Sequence, residues 1–154
     1  MRQRIALIAA MAFTALVAAA GPDGRPDFSG SWRSIAITKG PLVESAVEIQ
    51  QTESSFSLRK TLGGPSTNVS VYPLGTVAKT KMGRHTVSRS ARWEGSRLIL
   101  EETGPGNAPW RKSTELQIVS LSEDGRTMSI LFHGSGDRDS KSDYRVDYER
   151  VKLQ

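Results

Sequence analysis

The residues that could carry chemistry are few, and several of them lie in one alternating stretch. The chain has 154 residues, two histidines and no cysteine, which excludes disulfides, thiolate metal sites and cysteine nucleophiles. Between residues 85 and 93 every second residue would share one face of a β-strand, and these residues are His85, Val87, Arg89, Ala91 and Trp93. A guanidinium and an imidazole among apolar groups could bind the anionic end of a ligand.

Arg89 is the strongest candidate in this stretch. An arginine held among apolar groups requires an anion, because an unpaired buried charge is costly. We therefore expect the anionic head group of a ligand to bind Arg89, and we expect Arg92, on the opposite face, not to contact it. Phe132 and Tyr148, from later alternating segments, complete the predicted lining with His85 and Trp93. In the alternative interpretation His85 lies at a solvated rim and Arg89 on an outer face.

No catalytic or metal-binding motif stands out. Ser135 lies between two glycines but lacks the strand, elbow and helix of a hydrolase nucleophile. His133 is predicted to face away from Phe132, and Glu101 and Glu102 alternate faces, so neither a two-histidine metal site nor a paired-carboxylate site is favoured. Residues 137–143 lack the glycine and terminal glutamate of a calcium loop. We predict a protein that is not an enzyme and has no cofactor or metal.

Short segments with a period of two residues, separated by turn residues, predict an all-β fold. The predicted strands are Phe28–Arg33, Ala46–Gln51, a strand containing Phe56, Leu58 and Leu62, Asn68–Leu74, His85–Trp93, Arg97–Thr103, Trp110–Ser122, Thr127–His133 and a last strand from Tyr144 to Arg150. Short turns favour an antiparallel meander of about eight or nine strands. Such a sheet hides its edges by closing into a barrel, the alternatives being a partly open barrel or a β-sandwich.

Two of these strands carry finer predictions. Pro73 cannot donate to a sheet ladder, so Asn68–Leu74 is expected at an edge or a strand end. In Trp110–Ser122 the apolar alternation changes phase after Ile118, at Val119, which predicts a β-bulge.

The first twenty residues predict export. Arg2 and Arg4 precede an apolar run that ends in Ala18, Ala19 and Ala20, the pattern of a cleaved signal peptide. We predict a signal peptide at 1–20, cleavage near Ala20–Gly21 and an exported protein, periplasmic or secreted. An irregular lead-in at 21–27 and one β-barrel domain at 28–154 would follow.

Basic residues are concentrated in one region, here called the basic stripe: Lys79, Lys81, Arg84, Arg89, Arg92 and Arg97, opposed only by Glu94. Such a stripe could contact an anionic surface. Nucleic acid is not expected, because Trp93 is the only interleaved aromatic residue. The alternative function is therefore an envelope interaction or structural protein that contacts an anionic lipid or polysaccharide surface through the stripe.

Two short motifs carry a resemblance. Gly30-Ser31-Trp32 opens the first strand and Tyr148-Glu149-Arg150 closes the last. This combination resembles the calycins, the group of lipocalins and fatty-acid-binding proteins, in which the tryptophan plugs one barrel end beneath an arginine from the last strand. The chain also resembles small exported bacterial β-proteins that carry the hairpin motifs of 93–98 and 121–127. The resemblance implies a calycin-like barrel with a plug formed by Gly30, Trp32 and Arg150. We therefore predict a non-catalytic binding protein for a small apolar or amphipathic ligand.

Overall fold

The protein was analysed as a computed structural model, which describes residues 24–38, 46–61, 67–105, 112–135 and 141–151. The predicted signal peptide lies outside the described residues, as do Leu62 and Trp110. No described helix is long and apolar enough to cross a membrane.

The described elements are ten antiparallel strands of one sheet, without helices. They are β1 (Gly30–Thr38), β2 (Ala46–Gln51), β3 (Ser55–Thr61), β4 (Thr67–Pro73), β5 (Val77–Met82), β6 (His85–Glu94), β7 (Arg97–Pro105), β8 (Lys112–Leu121), β9 (Thr127–Ser135) and β10 (Lys141–Arg150). Consecutive strands pair with each other, except β4 and β5, which form the two edges of the sheet. β1 also pairs with β10. The sheet curls into a nearly closed barrel, which confirms the predicted all-β meander.

The barrel closes where its two edges meet. Leu74, after β4, forms a parallel bridge with Ala91 of β6, and the backbone N–H of Gly75 donates to the carbonyl oxygen of Ala91 at 2.9 Å. β5 then pairs with the preceding part of β6, from His85 to Ser90. The edge position predicted from Pro73 is thus confirmed.

The tenth strand, β5, was missed by the sequence prediction. Its sequence, VAKTKM, has polar residues on both faces, and every residue is exposed. An edge strand that covers no core does not need alternating apolar residues, so the period of two that reveals other strands is absent.

The predicted bulge in β8 is wrong. Leu98 to Pro105 pair with Val119 to Lys112 without a register shift, and β9 pairs with β8 equally regularly. The described strands instead show a register shift in β1, between Ser34 and Ala36. In β8 the buried inward residues are Gln117 and Val119. Ile118 lies on the outer face, opposite Ile99 and Leu131. This outer apolar stripe produced the apparent phase change.

The inner face forms one apolar core. The buried members of the core are Phe28, Trp32, Val47, Ile49, Phe56, Leu58, Tyr72, Ala91, Leu98, Leu100, Val119, Met128, Ile130, Phe132, Val146 and Tyr148. Burial of apolar side chains contributes about 25 cal/mol for each Å² removed from water, so this core is the main source of stability.

The three residues of the predicted plug pack together at one end of the barrel. The guanidinium carbon of Arg150 lies 4.4 Å from the ring centroid of the fully buried Trp32. Arg150 donates to the carbonyl oxygens of Ser29 at 2.7 Å and Asp27 at 2.9 Å. Gly30 has a φ of +128°, and a Cβ there would lie 3.4 Å from Nη1 of Arg150. Glycine therefore leaves room for the arginine as well as permitting the backbone conformation.

The lead-in completes this plug. The indole N–H of Trp32 donates to the carbonyl oxygen of Phe28 at 2.9 Å, and the side chain of Gln51 bonds both the Phe28 N–H and the Pro26 carbonyl oxygen. Phe28 precedes β1 rather than belonging to it, yet its ring is fully buried. The described part of the lead-in, from Gly24, forms part of the packed barrel end.

Candidate ligand-binding site

Five polar side chains from four strands meet on the inner face beyond the apolar core. Arg89, Glu102 and Glu115 are successive cross-strand partners on β6, β7 and β8, so they point to the same side of the sheet. Gln117 is the next inward residue of β8, between the buried Leu100 and Phe132, and Tyr72 comes from β4. We call Tyr72, Arg89, Glu102, Glu115 and Gln117 the inner polar cluster.

Arg89 has its anion within the chain. Its Nε lies 2.6 Å from Oε2 of Glu102, and the two side chains are only 13% and 31% exposed. Burial lowers the pKa of Arg89, but the hydrogen bond and the charge of Glu102 outweigh burial and leave that pKa above its ordinary value. The expectation that a ligand must supply the anion is therefore corrected, because a cross-strand glutamate already supplies it.

Tyr72 links this ion pair to β4, the edge strand at the seam. Its hydroxyl donates to the same Oε2 of Glu102 at 3.2 Å, and the guanidinium carbon of Arg89 lies 5.9 Å from its ring centroid. Burial, reinforced by the negative charge of Glu102, raises the pKa of Tyr72 well above its ordinary value. The phenol thus stays neutral and keeps donating, which fixes the orientation of the Glu102 carboxylate.

Gln117 is the least satisfied member of the cluster. Its Nε2 donates to Oε1 of Glu115 at 2.5 Å, while its Oε1 is buried and has no hydrogen-bond partner among the described residues. The side chain is 2% exposed. A buried acceptor without a partner costs about 1–3 kcal/mol, so this oxygen marks a place where a donor would be stabilising.

Aromatic and basic groups lie beside Gln117. The ring of Phe132, its cross-strand partner, stacks on Tyr144 with centroids 4.4 Å apart and planes within 8°. Nζ of Lys60 lies 5.6 Å from the Phe132 centroid. The inside of the barrel therefore combines an apolar wall with a polar end.

The five predicted lining residues do not form one group. Arg89 belongs to the inner polar cluster, and Phe132 lies next to it. Trp93 lies at the plugged end, where its half-buried ring stacks on Phe28 at 6.1 Å and Arg25 lies 5.4 Å from its centroid. Tyr148 is buried opposite Met128. His85 is exposed at the start of β6, opposite Met82.

Three members of the cluster were missed as site residues: Tyr72, Glu115 and Gln117. From the sequence alone, Glu102 is considered only as half of a carboxylate pair with Glu101. The alternation of β7 and β8 would identify Glu102 and Glu115 as inward residues beside Arg89 if the pairing registers of β6, β7 and β8 were known. Those registers cannot be read from one sequence.

Among the described residues of the outer surface, the polar groups are more exposed than those of the inner polar cluster. His133 lies there, as predicted, with its Nδ1 2.9 Å from Oδ1 of Asp143, and both side chains are exposed. Across the described ranges no group of three or more His, Asp or Glu residues could hold a metal ion. Arg92, a member of the basic stripe, pairs with Glu94 at 3.1 Å and with Glu101 at 3.7 Å on the outer face of the sheet. Arg89 belongs to the same stretch of sequence but lies on the inner face, so the sheet separates Arg89 from Arg92.

Comparisons with known proteins identify the fold but no family. The chain matches no protein-family model and no curated protein. Among solved structures it is similar to a secretary abundant heat soluble (SAHS) protein from Ramazzottius varieornatus, with a TM-score of 0.61 and 11% identity over 80% of this chain and 95% of that chain. It is also similar to the REP1-NXSQ fatty acid transporter, with a TM-score of 0.58 and 14% identity over 83% of this chain and 98% of that chain. At these identities the likeness concerns the fold alone, and that fold is a calycin-like β-barrel.

Proposed function

We propose that the chain is an exported, non-catalytic binding protein that encloses a small apolar or amphipathic ligand. The observation that carries this proposal is the inner polar cluster. Charged side chains ordinarily face water, whereas Arg89 and Glu102 are turned into the barrel beside an apolar core. A few convergent polar groups in an otherwise apolar interior are characteristic of small-molecule sites.

The comparison supports the same proposal. One structure of similar fold is called a fatty acid transporter, and another is a variant of it, with a TM-score of 0.55 and 12% identity. A fold accommodates many functions, so the argument for binding rests mainly on the side chains inside this barrel.

The proposal predicts a bound ligand whose polar end contacts the cluster. Native mass spectrometry of protein purified from its natural source should show a non-covalent adduct that is lost on unfolding. In displacement of a fluorescent lipid probe, Arg89→Leu should weaken binding about tenfold, because it removes the ion pair that holds Glu102 and Tyr72 in place at the polar end of the site. Arg92→Leu is the matched control, since Arg92 pairs with glutamates on the outer face, and should leave the affinity unchanged.

Equal losses from the two substitutions would contradict the proposal and favour the alternative, contact with an anionic surface. One observation supports that alternative: β5 is fully exposed and presents Lys79 and Lys81 on one face beside Val77, which is 64% exposed. Sedimentation with anionic vesicles that is lost in high salt and in Lys79→Glu/Lys81→Glu, without any displacement of the probe, would establish it.

Export gives a separate prediction. The signal-peptide pattern of residues 1–20 leads us to expect that N-terminal sequencing of protein collected outside the cytoplasm begins at or near Gly21. Cleavage would leave 19 basic and 16 acidic residues, a net charge of +3. Exported protein that still begins at Met1 would contradict this prediction.

A further inference from the structure

The orientation of the Gln117 side chain is fixed by its neighbour. A carboxylate only accepts hydrogen bonds, so the amide must direct Nε2 toward Glu115, 2.5 Å away. Exchange of the amide oxygen and nitrogen would place two acceptors against each other. Oε1 of Gln117 is consequently the atom left without a partner, in a side chain that is 2% exposed.

Glu115 adds a second acceptor beside the first. The Glu115 carboxylate accepts from the Gln117 amide, whereas the Glu102 carboxylate is paired with the Arg89 guanidinium. Arg89 supplies one positive charge against two negative ones, so the formal charge of the cluster is −1. An amide oxygen and a carboxylate on one strand, both turned inward, form an environment for hydrogen-bond donors rather than for an anion.

We propose that the inner polar cluster selects ligands whose polar end donates hydrogen bonds, a hydroxyl or an ammonium group, to Oε1 of Gln117 and to the carboxylate of Glu115. The inference rests on the proposed function and specifies it further. The apolar chain of such a ligand would lie along the inner core, and Arg89 would serve to neutralise Glu102 rather than to hold a ligand carboxylate.

The test compares four ligands with a linear chain of twelve carbons, each below its solubility limit or micelle concentration. Dodecanol donates and is neutral, dodecylamine donates and is cationic, 1-methoxydodecane is neutral without a donor, and dodecanoate is anionic without a donor. Displacement of a fluorescent lipid probe should show dodecanol and dodecylamine binding about tenfold more tightly than the ether and the carboxylate.

The residue-level test uses Gln117→Leu, which keeps a similar volume but removes the acceptor. The preference for dodecanol over the ether should fall to about equal affinity. Gln50→Leu is the matched control, because Gln50 is exposed on β2, and it should retain the full preference. If Gln117→Leu does not fold, the ligand series on the unaltered protein still decides the question.

The outcomes separate the two proposals. Equal binding of all four ligands, or tightest binding of dodecanoate through a basic residue such as Lys60, overturns the donor preference and leaves the binding function standing. An unchanged preference in Gln117→Leu also overturns it. Binding of none of the four ligands by folded protein overturns the binding function and the donor preference with it.

Discussion

Trp32→Ala should lower the free energy of unfolding by about 3–5 kcal/mol, which is the expected cost of removing a large buried aromatic side chain. Trp32 is fully buried, and its indole N–H bonds the carbonyl oxygen of Phe28. The substitution therefore removes apolar contact, leaves a cavity at the plugged end and removes one of the hydrogen bonds that hold the lead-in. Chemical denaturation monitored by circular dichroism measures the change.

The same plug predicts a non-additive pair. Arg150→Ala removes the stacking on Trp32 and the bonds to Ser29 and Asp27. In the Trp32→Ala background it should cost less than it does alone, by about 0.5–2 kcal/mol, since the stacking partner is already gone. Arg145→Ala is the control, because Arg145 pairs with Asp147 on the outside of β10, and its cost should be below about 1 kcal/mol. Strict additivity of Trp32→Ala and Arg150→Ala would contradict the plug.

Arg89→Leu should lower the free energy of unfolding by about 2–3 kcal/mol. It leaves the Glu102 carboxylate without its cation, only partly exposed and still accepting from Tyr72. Breaking a fully buried pair costs about 3–5 kcal/mol, and the 31% exposure of Glu102 reduces that value. Replacing both partners, in Arg89→Leu/Glu102→Leu, should restore most of the loss because no unpaired charge remains.

The measurement is a double-mutant cycle in urea, with Arg92→Leu as the control. Arg92 pairs with Glu94 and Glu101, but its side chain is 52% exposed, so its loss should cost below about 1 kcal/mol. A double variant that is as unstable as the sum of its two single variants would show that Arg89 and Glu102 act independently, and the ion pair would not hold the inner polar cluster together.

The sequence predicts strands well where one face is apolar. In β6 the alternation of Val87, Ala91 and Trp93 identifies the inward face, and in β2 even the bounds agree with the structure. The packing of the first strand against the last is likewise predictable from the sequence. Gly30, Trp32 and Arg150 form a motif whose members pack together whatever the barrel binds.

Prediction fails where the pattern does not depend on the core. β5 is exposed on both faces, so alternation does not reveal it. β8 is predicted as a strand, but its outward apolar residues suggest a change of phase that the structure does not have. The Arg89–Glu102 pair depends on the register between β6 and β7, which is a tertiary property. Physical reasoning correctly demanded an anion for Arg89, but it could not distinguish a cross-strand carboxylate from a ligand.

The plug also constrains the order in which the barrel can be assembled. Arg150 bonds Ser29 and Asp27, which are 121 and 123 positions away along the chain. While a ribosome still holds the last strand, Trp32 lacks its covering guanidinium and β1 lacks one of its two neighbours. Contacts between the two ends of a chain form slowly because a long loop must close first. A nascent chain can therefore pair β2, β3 and β4, and separately β5 to β9, hairpin by hairpin, but the end that buries Trp32 forms only once β10 is available.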